Sequence, residues 1–211
     1  MISSSQKMST SLPITDSLTV GTSNVMFSQS VKTLGVTLDT HLTMKNQVIN
    51  LVISANFELR RINTRHYLSV EATQKLVFDF AMFRLDYCNS LLSCCSKYLI
   101  NKLQKVQNNA ARLILKVLKT DHITPHLLTL HWLPVNAKIQ YKMCSLCFSA
   151  INSSGPQYLA DLLNIYAPSR RLHSSADTCT LCIPSVHTKT YGQRAFSHSA
   201  PTLWNNLSKA I

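Results

Sequence analysis

From Lys97 to about Leu118 the apolar residues Leu99, Leu103, Val106, Ala110, Leu113 and Val117 recur at intervals of four, three, four, three and four. That rhythm follows the 3.6-residue turn of an α-helix and puts all of them on one seam that has to be buried against another element. On a wheel of 100° per residue, Lys102, Lys105, Arg112, Lys116 and Lys119 fall together, roughly 60 to 160° to one side of the seam. No acid lies between Lys97 and Thr120 to neutralise them. One face packs and its neighbour is positive. Such a stripe is either an ordinary solvated face or a surface that follows the phosphate backbone of a duplex nucleic acid.

Other segments supply partners for that seam. After Thr43, a candidate N-cap, Met44, Val48, Leu51, Val52, Ala55, Leu59 and Ile62 again recur at three-to-four spacing, which predicts an amphipathic helix. It carries a smaller basic cluster, Arg60, Arg61 and Arg65. Ser69 can cap a second helix running to about Leu92, with Glu71 in its first turn and Leu76, Val77, Phe80 and Phe83 on its buried side. Pro125 fits the first turn of a short helix ending near Leu130, Pro134 opens another over 135–151, and Gly155 with Pro156 precedes a short helix through Leu163. Ahead of these, LTVGTSNVMF and SVKTLGVTLD alternate apolar and polar residues, predicting a small antiparallel hairpin. Residues 166–191 read as loop with one short strand near Leu181, and Gln193 to Leu207 as a docked terminal helix.

Charge bounds the function. Lys and Arg number 21 against nine acids, a formal +12, which either keeps the chain soluble or meets a polyanionic partner. The amino terminus lacks the apolar core of a secretory signal, and no apolar stretch is long enough to span a membrane. Seven scattered cysteines fit reduced thiols inside a cell, nuclear or cytoplasmic, better than a disulfide framework. No two of the nine acids are adjacent or one residue apart, so the paired carboxylates of two-metal phosphoryl chemistry are not present in the sequence.

Two further constellations invite a metal. Cys144 with Cys147 and Cys179 with Cys182 are both Cys-x-x-Cys pairs, yet the first sits inside a helical apolar pattern and neither has the glycine turn of a zinc knuckle. Small buried hydrophobes are the expected role. His122 and His126 could share a helix face, but Pro125 puts His122 ahead of the helix that carries His126. No metal or cofactor is implied.

Three phrases between Arg84 and Val135, RLDYCNSLL, LQKVQNNAARLIL and DHITPHLLTLHWLPV, stand in fixed order. VKTLGVTLD, GPQYLADLL and GQRAFSHSAPTLWNNL flank them, and SRRLHSS follows Pro168. In order and wording they resemble the region downstream of the palm in reverse transcriptases of non-LTR (LINE-type) retrotransposons, particularly the chicken-repeat and jockey-like groups, over roughly 18–208. His173 and Ser208 depart from that family's arginine and proline. The family's palm holds its metals with an aromatic-x-Asp-Asp motif, and no Asp-Asp occurs here. His131, Trp132 and Pro134 match its His-Trp-Leu-Pro junction, where an interhelix packing corner is expected.

The resemblance implies a noncatalytic, thumb-like and connecting region that helps hold template and primer by weak, sequence-independent contacts to RNA or DNA backbone, with the palm of a parent polymerase as its protein partner. The residues expected to carry those contacts are Lys102, Lys105, Arg112, Lys116 and Lys119, then Arg60, Arg61 and Arg65. The alternative is an inert relic or a helical protein-interaction module without nucleic-acid binding. The expected fold is mainly α: a disordered leader over 1–17, a vestigial palm-edge hairpin over 18–42, a helical bundle over 43–165 and a loop-rich segment with a terminal helix over 166–211.

Overall fold

The computed structural model describes residues 17–65, 67–167, 179–188 and 191–207. The leader up to residue 16, the SRRLHSS phrase and Ser208 lie outside the described residues. The architecture is mainly α, with two small antiparallel strand pairs near the start. Over the described residues it groups into two compact units, one of 17–88 and 95–135, the other of 89–94 and 136–207.

In the first unit the expected single hairpin is two. β1 (Ser17–Val20) pairs with β2 (Ser23–Met26), and β3 (Ser30–Thr33) pairs separately with β4 (Val36–Asp39). The second pair turns through Leu34 and Gly35 at φ 49 and 80°, two consecutive left-handed residues that close a tight hairpin. Tyr87 donates its hydroxyl to the Leu34 carbonyl at 2.8 Å, and the Thr37 amide donates to Gln47 Oε1 at 2.8 Å. These bonds and the buried Val36 tie β3–β4 to the helices, whereas Leu18, Val20, Val25 and Met26 of β1–β2 remain exposed.

α1 (Lys45–Asn63) buries Val48, Ala55, Leu59 and Ile62 as its periodicity requires. Its N-cap is Met44, in left-handed conformation at φ 59° and without a side-chain cap bond. Thr43 sits one residue earlier, its hydroxyl accepting from the Lys45 amide at 3.3 Å. Ser69 does cap α2 (Val70–Val77), accepting from the Ala72 amide at 3.2 Å. That helix does not continue to Leu92. It widens into a π-helical turn at Phe78–Met82, resumes as α3 (Phe83–Asp86), and breaks at Cys88, whose φ is 52°. A π turn inserts an extra residue per turn and rotates everything after it. Ala81, Met82 and Leu85 face the core as a result, while Phe80 and Phe83, expected inside, are exposed.

α4 (Lys97–Leu115) stops three residues before the expected end because Lys116 turns left-handed at φ 53°. The Val117 amide then donates back to the Arg112 carbonyl at 3.2 Å, a Schellman closure built on lysine in place of the usual glycine. Leu99, Leu103, Val106 and Ala110 are buried, and so are Ala111, Ile114 and the polar Gln107. Gln107 donates to the Leu133 carbonyl at 2.9 Å and accepts from Gln104 at 3.0 Å; Gln104 in turn accepts from the Val135 amide at 2.8 Å. This amide pair fastens the chain that follows α5 (Ile123–Thr129) onto α4. α5 ends in the expected corner: His131 has φ 53°, and the Trp132 amide reaches back to the Leu127 carbonyl at 2.8 Å.

The second unit is built on α6 (Val135–Ile151), α7 (Gln157–Ala160) and α8 (Phe196–Asn205). Met143, Cys147, Leu181 and Ala200 form its core, with Leu203 and Trp204 packed against them. The strand expected near Leu181 is one bridge, Ile165 to Leu181. On its other side Asn205 replaces a strand, its side-chain amide bonding both the amide (3.0 Å) and carbonyl (2.8 Å) of Leu181. Gly192 is obligatory, because a Cβ there would lie 2.8 Å from Val186 Cβ. No helix of the described residues is long and apolar enough to cross a membrane.

Gln107→Ala removes buried volume and leaves the Leu133 carbonyl without its donor. It should destabilise the chain by about 2 to 4 kcal/mol, measured as a lower urea midpoint at unchanged slope. A loss under about 0.5 kcal/mol would show that the amide pair contributes little.

Candidate nucleic-acid interface

α1 and α4 lie side by side within the first unit and run in the same direction. Lys45 at the start of α1 is within electrostatic reach of Tyr98 at the start of α4. Arg60 and Asn63 at the end of α1 share a groove with Arg112 and Lys116 at the end of α4. The basic residues of the two helices therefore gather at two ends of one helix pair.

The C-terminal end holds an open groove of about 550 Å³ lined by Asn56, Arg60, Asn63, Asn109, Arg112, Lys116 and Lys119, together with three apolar side chains and no acid. Helix C-termini attract cations through the helix dipole alone. Two aligned helix ends bring about −0.5 each, against which four cations leave an excess of about +3. The macrodipoles account for only part of the cluster. Arg112 also has a local task, since its Nη2 donates to the Asp121 carbonyl at 3.3 Å and holds the loop after α4. Arg60, Lys116 and Lys119 are exposed.

At the other end Lys102 places its ammonium 4.7 Å from the centroid of the Tyr98 ring, with Lys105 one turn farther on. The Tyr98 phenol is held below its ordinary range, chiefly by the hydrogen bond and charge of Lys102, with Lys45 and Lys105 adding to the effect. Neither helix has an acid in its first turn.

The expected contact residues thus separate. Arg60, Arg112, Lys116 and Lys119 share the groove; Lys102 and Lys105 lie along α4 toward its start. Lys116 and Lys119 do not reach the groove by helical phase as the wheel implied, because the helix has ended at Leu115; the left-handed turn at Lys116 brings them there. Arg61 turns away to Glu58, at 3.1 Å, and lies over the Phe57 ring at 5.8 Å. Arg65 is exposed beyond the end of α1 and does not line the groove. Sequence reasoning missed Lys45, Tyr98 and the three asparagines. Tyr98 and Asn109 were within reach of it: Tyr98, Lys102, Lys105, Asn109 and Arg112 repeat at four, three, four and three, one residue out of phase with the apolar seam.

Among the described residues no three His, Cys, Asp or Glu side chains converge as a metal site. Cys147 is buried in the second unit's core, Cys144 is half-buried, and Cys179 and Cys182 are exposed. His122 is the extended N-cap of α5 and His126 lies within it, as Pro125 implied, although the helix already begins at Ile123. Comparison with family models, with curated proteins and with solved structures found no match to this chain.

Burial pushes the Cys147 thiol up to about 11, with Cys144 and Cys179 adding to the shift. The folded state favours the protonated thiol, so this contribution to stability is full below the unfolded thiol's value near 9 and is lost as pH rises through about 11. Urea unfolding should therefore show a steeper loss of stability from pH 9 to 11 for the parent chain than for Cys147→Val. Equal slopes for the two would mean that Cys147 is not desolvated in the fold.

Proposed function

We propose that this chain is a thumb-like, noncatalytic region of a LINE-type reverse transcriptase that holds nucleic acid by its backbone. The observation that carries the reading is the groove where Arg60, Lys116 and Lys119 stand free of any lining acid while Arg112 anchors the wall. Ammonium, guanidinium and asparagine amide groups all donate to phosphate oxygens, and contacts made there position a strand without reading its bases. The phrase resemblance supplies the polymerase context, and the palm of the same polymerase is the protein partner it implies. Affinity of this kind is weak, about 10⁻⁴ to 10⁻⁶ M near physiological salt.

The testing variant avoids Arg112, whose loss would free the loop, and combines Arg60→Gln, Lys116→Asn and Lys119→Gln. Asparagine tolerates the left-handed conformation at 116, so folding should survive, as circular dichroism would check. Fluorescence anisotropy over a salt series should show weaker duplex binding and a log-log salt slope smaller in magnitude by about 2.7, three contacts at about 0.9 each. A folded variant with the parent's slope and affinity would sink the reading.

The absence of paired carboxylates in the sequence supports the noncatalytic part. Primer extension by the purified chain should stay at background with Mg²⁺ or Mn²⁺. Extension that survives purification and is abolished by changing one of the chain's own acids would overturn it.

A further inference from the structure

We propose that Tyr98 is a stacking platform for an unpaired base, so that the start of α4 takes single-stranded nucleic acid whose phosphates are followed by Lys102 and Lys105. The inference rests on the backbone-binding reading above and adds to it a strand state and a residue that reading does not use.

Tyr98 is 65% exposed, and exposure alone decides nothing, since Tyr67, Tyr141 and Tyr158 are at least as open. What sets Tyr98 apart is its company. The Lys102 ammonium lies against its ring, Lys105 continues the same helical row, and Lys45 approaches from the parallel helix. An aromatic face set among cations is the arrangement by which proteins hold single strands without regard to sequence: every base offers a π-face, and the neighbouring cations take the backbone. Lys102 and Lys105 stand about 6 and 10.5 Å farther along the helix axis than Tyr98, at 1.5 Å per residue, so both ammonium groups lie beside the path of a strand that leaves the ring along α4. The row then passes Asn109 and reaches Arg112 in the groove, about 21 Å from Tyr98 on the same scale.

A paired base cannot use this platform, because its faces are already covered by its neighbours in the duplex. Stacking on a side chain requires an end, a gap or an overhang where the base is free. The Tyr98 end of the row therefore selects unpaired nucleotides, and the groove at the far end accepts backbone in either state.

Three ligands separate the two contributions: an oligothymidylate, an abasic deoxyribose-phosphate strand of the same length, and a duplex. Stacking on one aromatic residue changes affinity by about 5- to 150-fold. The full chain should bind the thymidylate at least about fivefold more tightly than the abasic strand. Tyr98→Ala should erase that preference while leaving abasic-strand and duplex affinities within about twofold, and Tyr98→Phe, which keeps a ring, should retain it. Equal binding of thymidylate and abasic strand by the parent chain, or an intact preference in a folded Tyr98→Ala variant, would overturn the platform and leave the backbone reading standing. Failure of all three ligands to bind would overturn both.

Discussion

The parallel packing of α1 on α4 is the constraint from which the rest of the first unit follows. Each helix has one apolar stripe, and bringing the stripes together lengthwise fixes direction as well as contact. With both helices pointing the same way, their starts share one end of the contact and their last turns share the other. Two amino termini meet Lys45 and Tyr98, Lys102 and Lys105 follow along α4, and two carboxyl termini meet Arg60, Arg112, Lys116 and Lys119. Antiparallel packing would have mixed these sets and let the two helix dipoles offset each other, whereas the parallel pair adds its like ends together. α2, the π turn and α3 lie between the two helices in the chain and return it from the end of α1 to the start of α4.

Much of this was legible in the residues. Ser69 marked a start because its hydroxyl satisfies an amide that the helix cannot, and Pro134 marked another because a proline before the first helical turn sacrifices no bond. The α4 seam was readable because burial selects on period. Three things were not readable. The π turn leaves no mark in a hydrophobic pattern that already contains Phe78, Phe80, Ala81, Met82 and Phe83, since every phase finds an apolar residue. The end of α4 carries neither glycine nor proline, and Lys116 adopts a conformation that its chemistry does not announce. Gln107 is nearly as buried as the leucines beside it, because its partner is a backbone carbonyl 26 residues away and no local pattern encodes that.

The candidate site was legible as charge and illegible as shape. A wheel groups the cations of α4 by phase, but only the helix pair shows that Arg60 lies with Arg112 while Arg61, its immediate neighbour, lies with Glu58. Adjacent residues on a helix point about 100° apart, enough to send one guanidinium to the groove and the other to an ion pair. The cysteines illustrate the reverse. Their spacing is that of paired metal ligands, and their surroundings differ: Cys147 lies in a core beside Met143 and Leu181, while Cys182 stands outside it.

The glutamine pair on α4 also divides the chain by how its amides meet water. Val135 gives its backbone hydrogen to Gln104, and Gln107, almost wholly enclosed, holds the carbonyl two residues earlier. A hydrogen held by a side chain inside a packed seam is released only when the seam opens, so its exchange with solvent deuterium reports the opening of the α4 core and not the fraying of a loop. Val135 is the first residue of α6, where a helix offers its own amide no partner, yet the protection of this amide should track that of Leu103 and Val106 within α4. The first amide of one helix thereby reports on the core of another.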